Sequence, residues 1–250
     1  MDTLQQNWPF MLIPVVVTMI GGVIAAAFTL SPTVRSSVQH FTAGVVFAAI
    51  AGEVIPDVID RHATAATVTG FVIGVGLMFG LSKASDRLLP QPAEPPTGAG
   101  PAAGRRQFPV PLVIAVGIDA LLDGLVIGIG FTVGSTLGTL VTVALSLEMF
   151  FLGLSTAATL RQTGSKPRLA IVITTAAALM IAVGVLLGVT VFGGLSNAGL
   201  AGVLSFGCAA LLYLVTEELL NEAHTVPETR WMSSLFFAGF LTLLVVELSL

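Results

Sequence analysis

Charge, cysteine and basic residues are all scarce in this sequence, and each shortage removes a class of protein. Charged residues make up 10% of the 250 positions, against roughly 25% in an average soluble domain, so the chain lacks the polar surface that a soluble globule needs. The one cysteine, Cys208, sits inside an apolar run, which excludes a disulfide framework and a thiolate metal site. Lys and Arg total 10 and the net charge is −4, which argues against nucleic acid as a partner. No basic cluster precedes the first apolar stretch in MDTLQQNWPF, so a retained first helix is expected rather than a cleaved signal peptide.

What the chain has in excess is apolar length. Hydrophobic residues reach 55% and the mean hydropathy is +0.97. Runs of about 20 apolar residues, enough to cross a hydrocarbon core of about 30 Å, recur from end to end. A membrane β-barrel would need polar residues at alternate positions, and these runs are continuously apolar. The expectation is an all-α polytopic membrane protein, one transmembrane domain over residues 1–250, with eight spans near 9–30, 36–59, 64–87, 109–133, 136–160, 168–192, 198–223 and 232–249. The long connection, about 88–108 (LLPQPAEPPTGAGPAAGRRQF), is rich in Pro, Gly and Ala and reads as a flexible loop.

Basic residues orient the spans. Loops on the side opposite the termini hold Arg35, Lys83, Arg87, Arg105, Arg106, Arg161, Lys166, Arg168 and Arg230, and the terminal side holds Arg61. The positive-inside rule then puts both termini outside and the long loop in the cytoplasm. An internal repeat is also visible. A shift of 165 residues matches Phe41, Glu53 and Asp57 of span two to Phe206, Glu218 and Glu222 of span seven. The two spans run in opposite directions, so the repeat is inverted, a mark of secondary transporters.

The chemistry is carried by carboxylates. An ionisable side chain at mid-bilayer costs at least about 2.5–3.5 kcal/mol, yet the spans contain Glu53, Asp57, Asp119, Asp123, Glu148, Glu217, Glu218 and Glu222, with no Lys or Arg at mid-membrane depth. Three i,i+4 pairs (Glu53 and Asp57, Asp119 and Asp123, Glu218 and Glu222) place like charges on one helix face, which is unfavourable unless protons or a cation neutralise them. Asp119, Asp123 and Glu148 lie deepest, Glu53 and Asp57 toward the outer end, and Glu218 and Glu222 toward the inner end. Such a ladder reads as a cation pathway. Its oxygen-only centre suits hard or borderline divalent ions such as Mn²⁺, Fe²⁺ or Mg²⁺.

Other features read as structural. His40, His62 and His224 fall near span ends, with His224 close enough to Glu222 to join an exit site. Met149 reads as packing, and the glycine series 70, 74, 76, 80 and 124, 128, 130, 134 as helix-packing faces. Pro56 removes one backbone hydrogen bond between Glu53 and Asp57, so it either frees a carbonyl as a ligand or kinks the helix end.

The pattern resembles the ZIP family of divalent metal transporters. AGVVFAAIAGEVIPD (43–57) is similar to the family's second span, and DALLDG (119–124) to its fourth-span motif His-Asn-x-x-Asp/Glu-Gly, with Asp119 in the histidine place, Ala120 in the asparagine place, and Asp123 and Gly124 kept. ELLNE (218–222) resembles the seventh-span acid-x-x-Pro-Glu with Asn221 for proline, and LSLEMFFLG (145–153) keeps only Glu148 of the fifth-span motif. The resemblance implies a 3+2+3 arrangement of the eight spans and a permease moving zinc or a related transition metal toward the cytoplasm across a bacterial-type inner membrane, as a homodimer. The metal is substrate, no cofactor is expected, and the chain is not an enzyme. On this reading Asp119, Asp123 and Glu148 form the central site, Glu53 and Asp57 the outer gate, and Glu218 and Glu222 the inner one. Three rivals remain open here. They are an intramembrane enzyme, for which Glu217-Glu218 lacks the accompanying Arg and His motifs, a non-transporting membrane regulator, and a proton-coupled transporter of another solute.

Overall fold

The computed structural model describes residues 2–28, 31–88, 110–224 and 230–248, and every regular element among them is helical. There are eight rods: α1 (Asp2–Ala27), α2 (Pro32–Asp60), α3 (Thr64–Leu88), α4 (Val110–Val133), α5 (Ser135–Gln162), α6 (Pro167–Phe192), α7 (197–223) and α8 (Arg230–Glu247). Seven are long and apolar enough to cross a membrane. At 18 residues α8 is the shortest, and at 1.5 Å per residue its length of about 27 Å still approaches a hydrocarbon core. The protein is therefore an all-α polytopic membrane protein with the eight segments expected. Past Leu88, the loop expected over 88–108 lies outside the described residues, as do the side chains of Arg87, Arg105, Arg106 and Arg230.

The internal repeat governs the architecture. The 165-residue shift carries α1 onto α6, α2 onto α7 and α3 onto α8, within a few residues at each end. Each helix is five positions along the chain from its counterpart, an odd offset, so the copies are inverted, and α4 and α5 stand between the two triplets. Even the caps repeat. Ser31 accepts from the Val34 amide at 3.3 Å and Ser196 from the Gly199 amide at 3.2 Å, each satisfying an amide that has no partner in the first turn.

Each of the two matched helices also widens into a π-helical turn, Ile50–Val54 in α2 and Leu214–Leu219 in α7. The first contains Glu53, the second Glu217 and Glu218. In α2 the turn is followed at once by Pro56, whose missing amide the wider winding accommodates. Such turns are rare and cluster at functional sites.

Helix association in lipid depends on close packing rather than on a hydrophobic drive, so small residues mark the contacts. Gly124 lies against the carbonyl of Ile181 and Gly184 against that of Leu121, joining α4 to α6. Gly21 and Gly153 join α1 to α5 in the same way, Gly44 and Gly239 join α2 to α8, and Gly70 meets Gly202 between α3 and α7. The pairings α1·α5 and α6·α4, like α2·α8 and α3·α7, are thus related by the repeat. Of the glycines expected at packing faces, Gly70, Gly74, Gly124, Gly128 and Gly130 are in contact, whereas Gly76, Gly80 and Gly134 face open space. Ile50, Ile127, Leu145, Ile181 and Leu211 fill the centre, and Met149 is fully buried among them. The helices alternate in direction, so Arg35, Lys83, Arg161, Lys166 and Arg168 share one end of the bundle and Arg61 lies at the other.

Candidate metal centre

Asp119 and Asp123 lie one turn apart on α4, and Glu148 comes from α5. Helices α4 and α5 turn on Gly134 in extended conformation, with φ −179°, and run back along one another. The close approach of α4 to α6 through Gly124, next to Asp123, sets the rotation of α4 that faces its acids inward. As a result, one ligand oxygen from each of Asp119, Asp123 and Glu148 lies within 4.8 Å of the other two. Asp123 and Glu148 are buried, at 6% and 4% exposure, and Asp119 is half-buried.

Asp123 and Glu148 lie within hydrogen-bonding reach of each other. The remaining oxygens, Asp123 Oδ2 and Glu148 Oε2, are buried without a hydrogen-bond partner. Buried polar atoms in folded proteins nearly always find partners, and oxygens of this kind in a charged cluster are what a cation would coordinate. Two more buried oxygens are in the same condition, Gln39 Oε1 and Thr42 Oγ1 on α2.

The other sequence candidates distribute unevenly. Glu218, on the π-turn of α7, acts electrostatically on Asp119, Asp123 and Glu148, so it belongs with the central layer as a fourth, more accessible carboxylate. The side chain of Glu222 lies outside what is described. At the far end, Asp57 Oδ2 accepts from Arg61 Nε at 2.8 Å, so this acid has a counter-charge that a count of mid-membrane cations overlooks. Arg61 also donates to Asn197 Oδ1 at 3.1 Å, and Asn197 Nδ2 donates to the Arg61 carbonyl at 2.9 Å, tying α2 to α7. Glu53, half-buried, faces Asp57 and Glu247. Glu247, whose carboxylate lies against Gly52, is absent from the sequence reading. It is the one carboxylate of the last apolar run, which is the signal that could have found it. His40, expected near an interface, is buried at 3% exposure. Its Nδ1 lies 2.9 Å from the Ser36 carbonyl, and its ring meets that of His224 at 5.4 Å.

An inverted-repeat helical bundle with converging carboxylates on its two central helices defines an integral membrane protein with a buried acidic cluster at its centre. The comparison with known families agrees. The family model described as ZIP Zinc transporter matches residues 98–247, which hold Asp119, Asp123, Glu148, Glu218 and Glu222, and the chain belongs to the ZIP family of metal transporters. No curated protein matches the chain.

Proposed function

We propose that this protein is a permease, not an enzyme, that carries zinc or a related divalent transition metal across the inner membrane toward the cytoplasm. Binding would take place at Asp119, Asp123 and Glu148, with Glu218 beside them as a fourth carboxylate leading to Glu222 on the exit side, and Glu53 and Asp57 at the outer entrance. The observation that carries this reading is the triad, three carboxylates with one oxygen each within 4.8 Å of the others, in which Asp123 Oδ2 and Glu148 Oε2 are buried without a partner. The ionisable groups acting on them are one another and Glu218. A divalent cation neutralises such a set where water cannot. The basic end of the bundle supports a cytoplasmic assignment for that side, and the inverted triplets support alternating access by rocking of one half against the other. A homodimer is part of the proposal.

The test is uptake of Zn²⁺, Cd²⁺, Mn²⁺, Fe²⁺ and Co²⁺ into proteoliposomes, wild type against the double Asp119→Asn, Asp123→Asn variant. Uptake that the variant loses supports the reading. A folded wild type that takes up none of these ions sinks it. The hydrogen bond between Asp123 and Glu148 favours one alternative, a proton relay serving another solute, and inhibition of proton flux by the metals would distinguish the two.

A further inference from the structure

Thr42 behaves unlike its neighbours. Thr18, Thr142, Ser146, Thr174 and Ser205 are buried, and each donates its hydroxyl to the carbonyl four residues back in its own helix. Thr42 is fully buried at 0% exposure, and its Oγ1 has no partner. Local back-bonding is the usual way for such a hydroxyl to be satisfied in an apolar helix, so leaving it unmade carries a desolvation cost.

Register indicates where this hydroxyl lies. Helices α2 and α5 run antiparallel, and Arg35 Nη2 donates to Ser155 Oγ at 2.7 Å. Seven residues on an α-helix make about two turns, about 10.5 Å, with a rotation only about 20° short of closure. Thr42 is seven residues on from Arg35, and Glu148 is seven residues back from Ser155. The two are therefore at the same level and on the faces that the Arg35–Ser155 contact brings together. The same register has Phe41 and Val45 sharing a groove with Ser146, Leu147 and Phe150. Gln39, one turn from Arg35 on the same face, is buried at 3% exposure and its Oε1 is likewise unpartnered. Among the described residues the orphaned buried side-chain oxygens are thus two from the carboxylate triad and two from α2.

We infer that the Thr42 hydroxyl is a neutral oxygen ligand or orienting group of the divalent-cation site, and that Gln39 Oε1 lines the next step from that site toward the basic end of the bundle. The inference rests on the proposed cation site at Asp119, Asp123 and Glu148. Neutral oxygens suit this role, because they complete a coordination shell already rich in charge without adding to the repulsion among the acids, and they hold the ion less tightly on its way out.

The experiment is equilibrium binding of Zn²⁺ and of Mn²⁺ to the purified full-length protein, together with its melting temperature with and without the ion, for wild type, Thr42→Val, Thr42→Ser, Gln39→Met and Asp123→Asn. Thr42→Val keeps the shape and removes the oxygen. Binding should weaken by about tenfold or more, the effect seen when groups supporting a metal site are lost, and ion-induced stabilisation should shrink with it. The ion-free melting temperature should hold or rise, since an unpaired buried hydroxyl has gone. Thr42→Ser should retain binding. Gln39→Met should keep the affinity and lower proteoliposome uptake. Unchanged affinity in Thr42→Val, alongside lost binding in Asp123→Asn, overturns the inference and leaves the cation site standing. Loss of binding in Thr42→Ser as well as Thr42→Val also overturns it, because the hydroxyl is then not what matters. A wild type that binds neither ion overturns the cation site and the inference together.

Discussion

Asp123 on α4 and Glu148 on α5 are hydrogen-bonded to one another across the interface of the two central helices, and each keeps a second, unpartnered oxygen. Two buried acids this close need a shared proton or a cation to offset their charges. On the proposed function the proton and the cation are alternatives for the same charge, and binding the cation would expel the proton.

That exchange has a measurable sign. Binding of one cation with release of the shared proton makes the apparent affinity rise with pH, by about tenfold per unit while one proton is displaced. Calorimetry in two buffers of different ionisation enthalpy counts the protons released. A value near zero would mean that the pair keeps its proton when the ion is bound.

Glu148→Gln keeps shape and hydrogen-bonding capacity while removing one charge of the triad. Binding should fall by at least about 10- to 100-fold, since even supporting groups around a metal carry that much. The steep pH dependence should flatten at the same time. Radiotracer uptake at two pH values reads both effects in one assay. Uptake equal to wild type would take Glu148 out of the site.

Arg61 neutralises Asp57 at the end of the bundle opposite Arg35 and ties α2 to α7. As a partly exposed pair this contributes little to stability, about 0–1 kcal/mol. Its loss in Arg61→Gln should instead leave the mouth formed by Glu53, Asp57 and Glu247 more negative. Initial uptake should then rise at low ion concentration and low ionic strength, and the gain should vanish in high salt. Glu247→Gln should act in the opposite direction. Initial rates at several salt concentrations decide it.

The glycines separate into two groups with opposite predictions. A methyl on Gly124 or Gly184 would run into the backbone of the facing helix. Alanine there should drive α4 from α6, lower the melting temperature and reduce binding at the neighbouring Asp123. Gly76 and Gly80 face open space, so alanine should be tolerated and return up to about 1 kcal/mol of helix propensity each. Melting in detergent of the four single variants tests the division.

Much of this was legible in one dimension. Apolar runs long enough to span a bilayer set the eight segments, because the cost of an unsatisfied backbone in lipid leaves no other local structure open. The match of Phe41, Glu53 and Asp57 to Phe206, Glu218 and Glu222 exposed the inverted repeat, since a duplicated packing solution keeps its spacing, and the structure extends that match to three helices and two π-turns. Carboxylates without basic partners pointed to a cation before any contact was known. Which carboxylates meet was decided only in three dimensions. Asp119 and Asp123 join Glu148 because Gly124 seats α4 on α6 and the turn at Gly134 folds α5 back beside it. Asp57 is held by Arg61, Glu247 comes in from the far end of the chain to Gly52, and Arg35 of α2 bonds Ser155 of α5. Hydropathy and spacing report the depth and the face of a side chain within its own helix. The rotation and register of one helix against another depend on backbone contacts between residues far apart in sequence, and those exist only in the folded bundle.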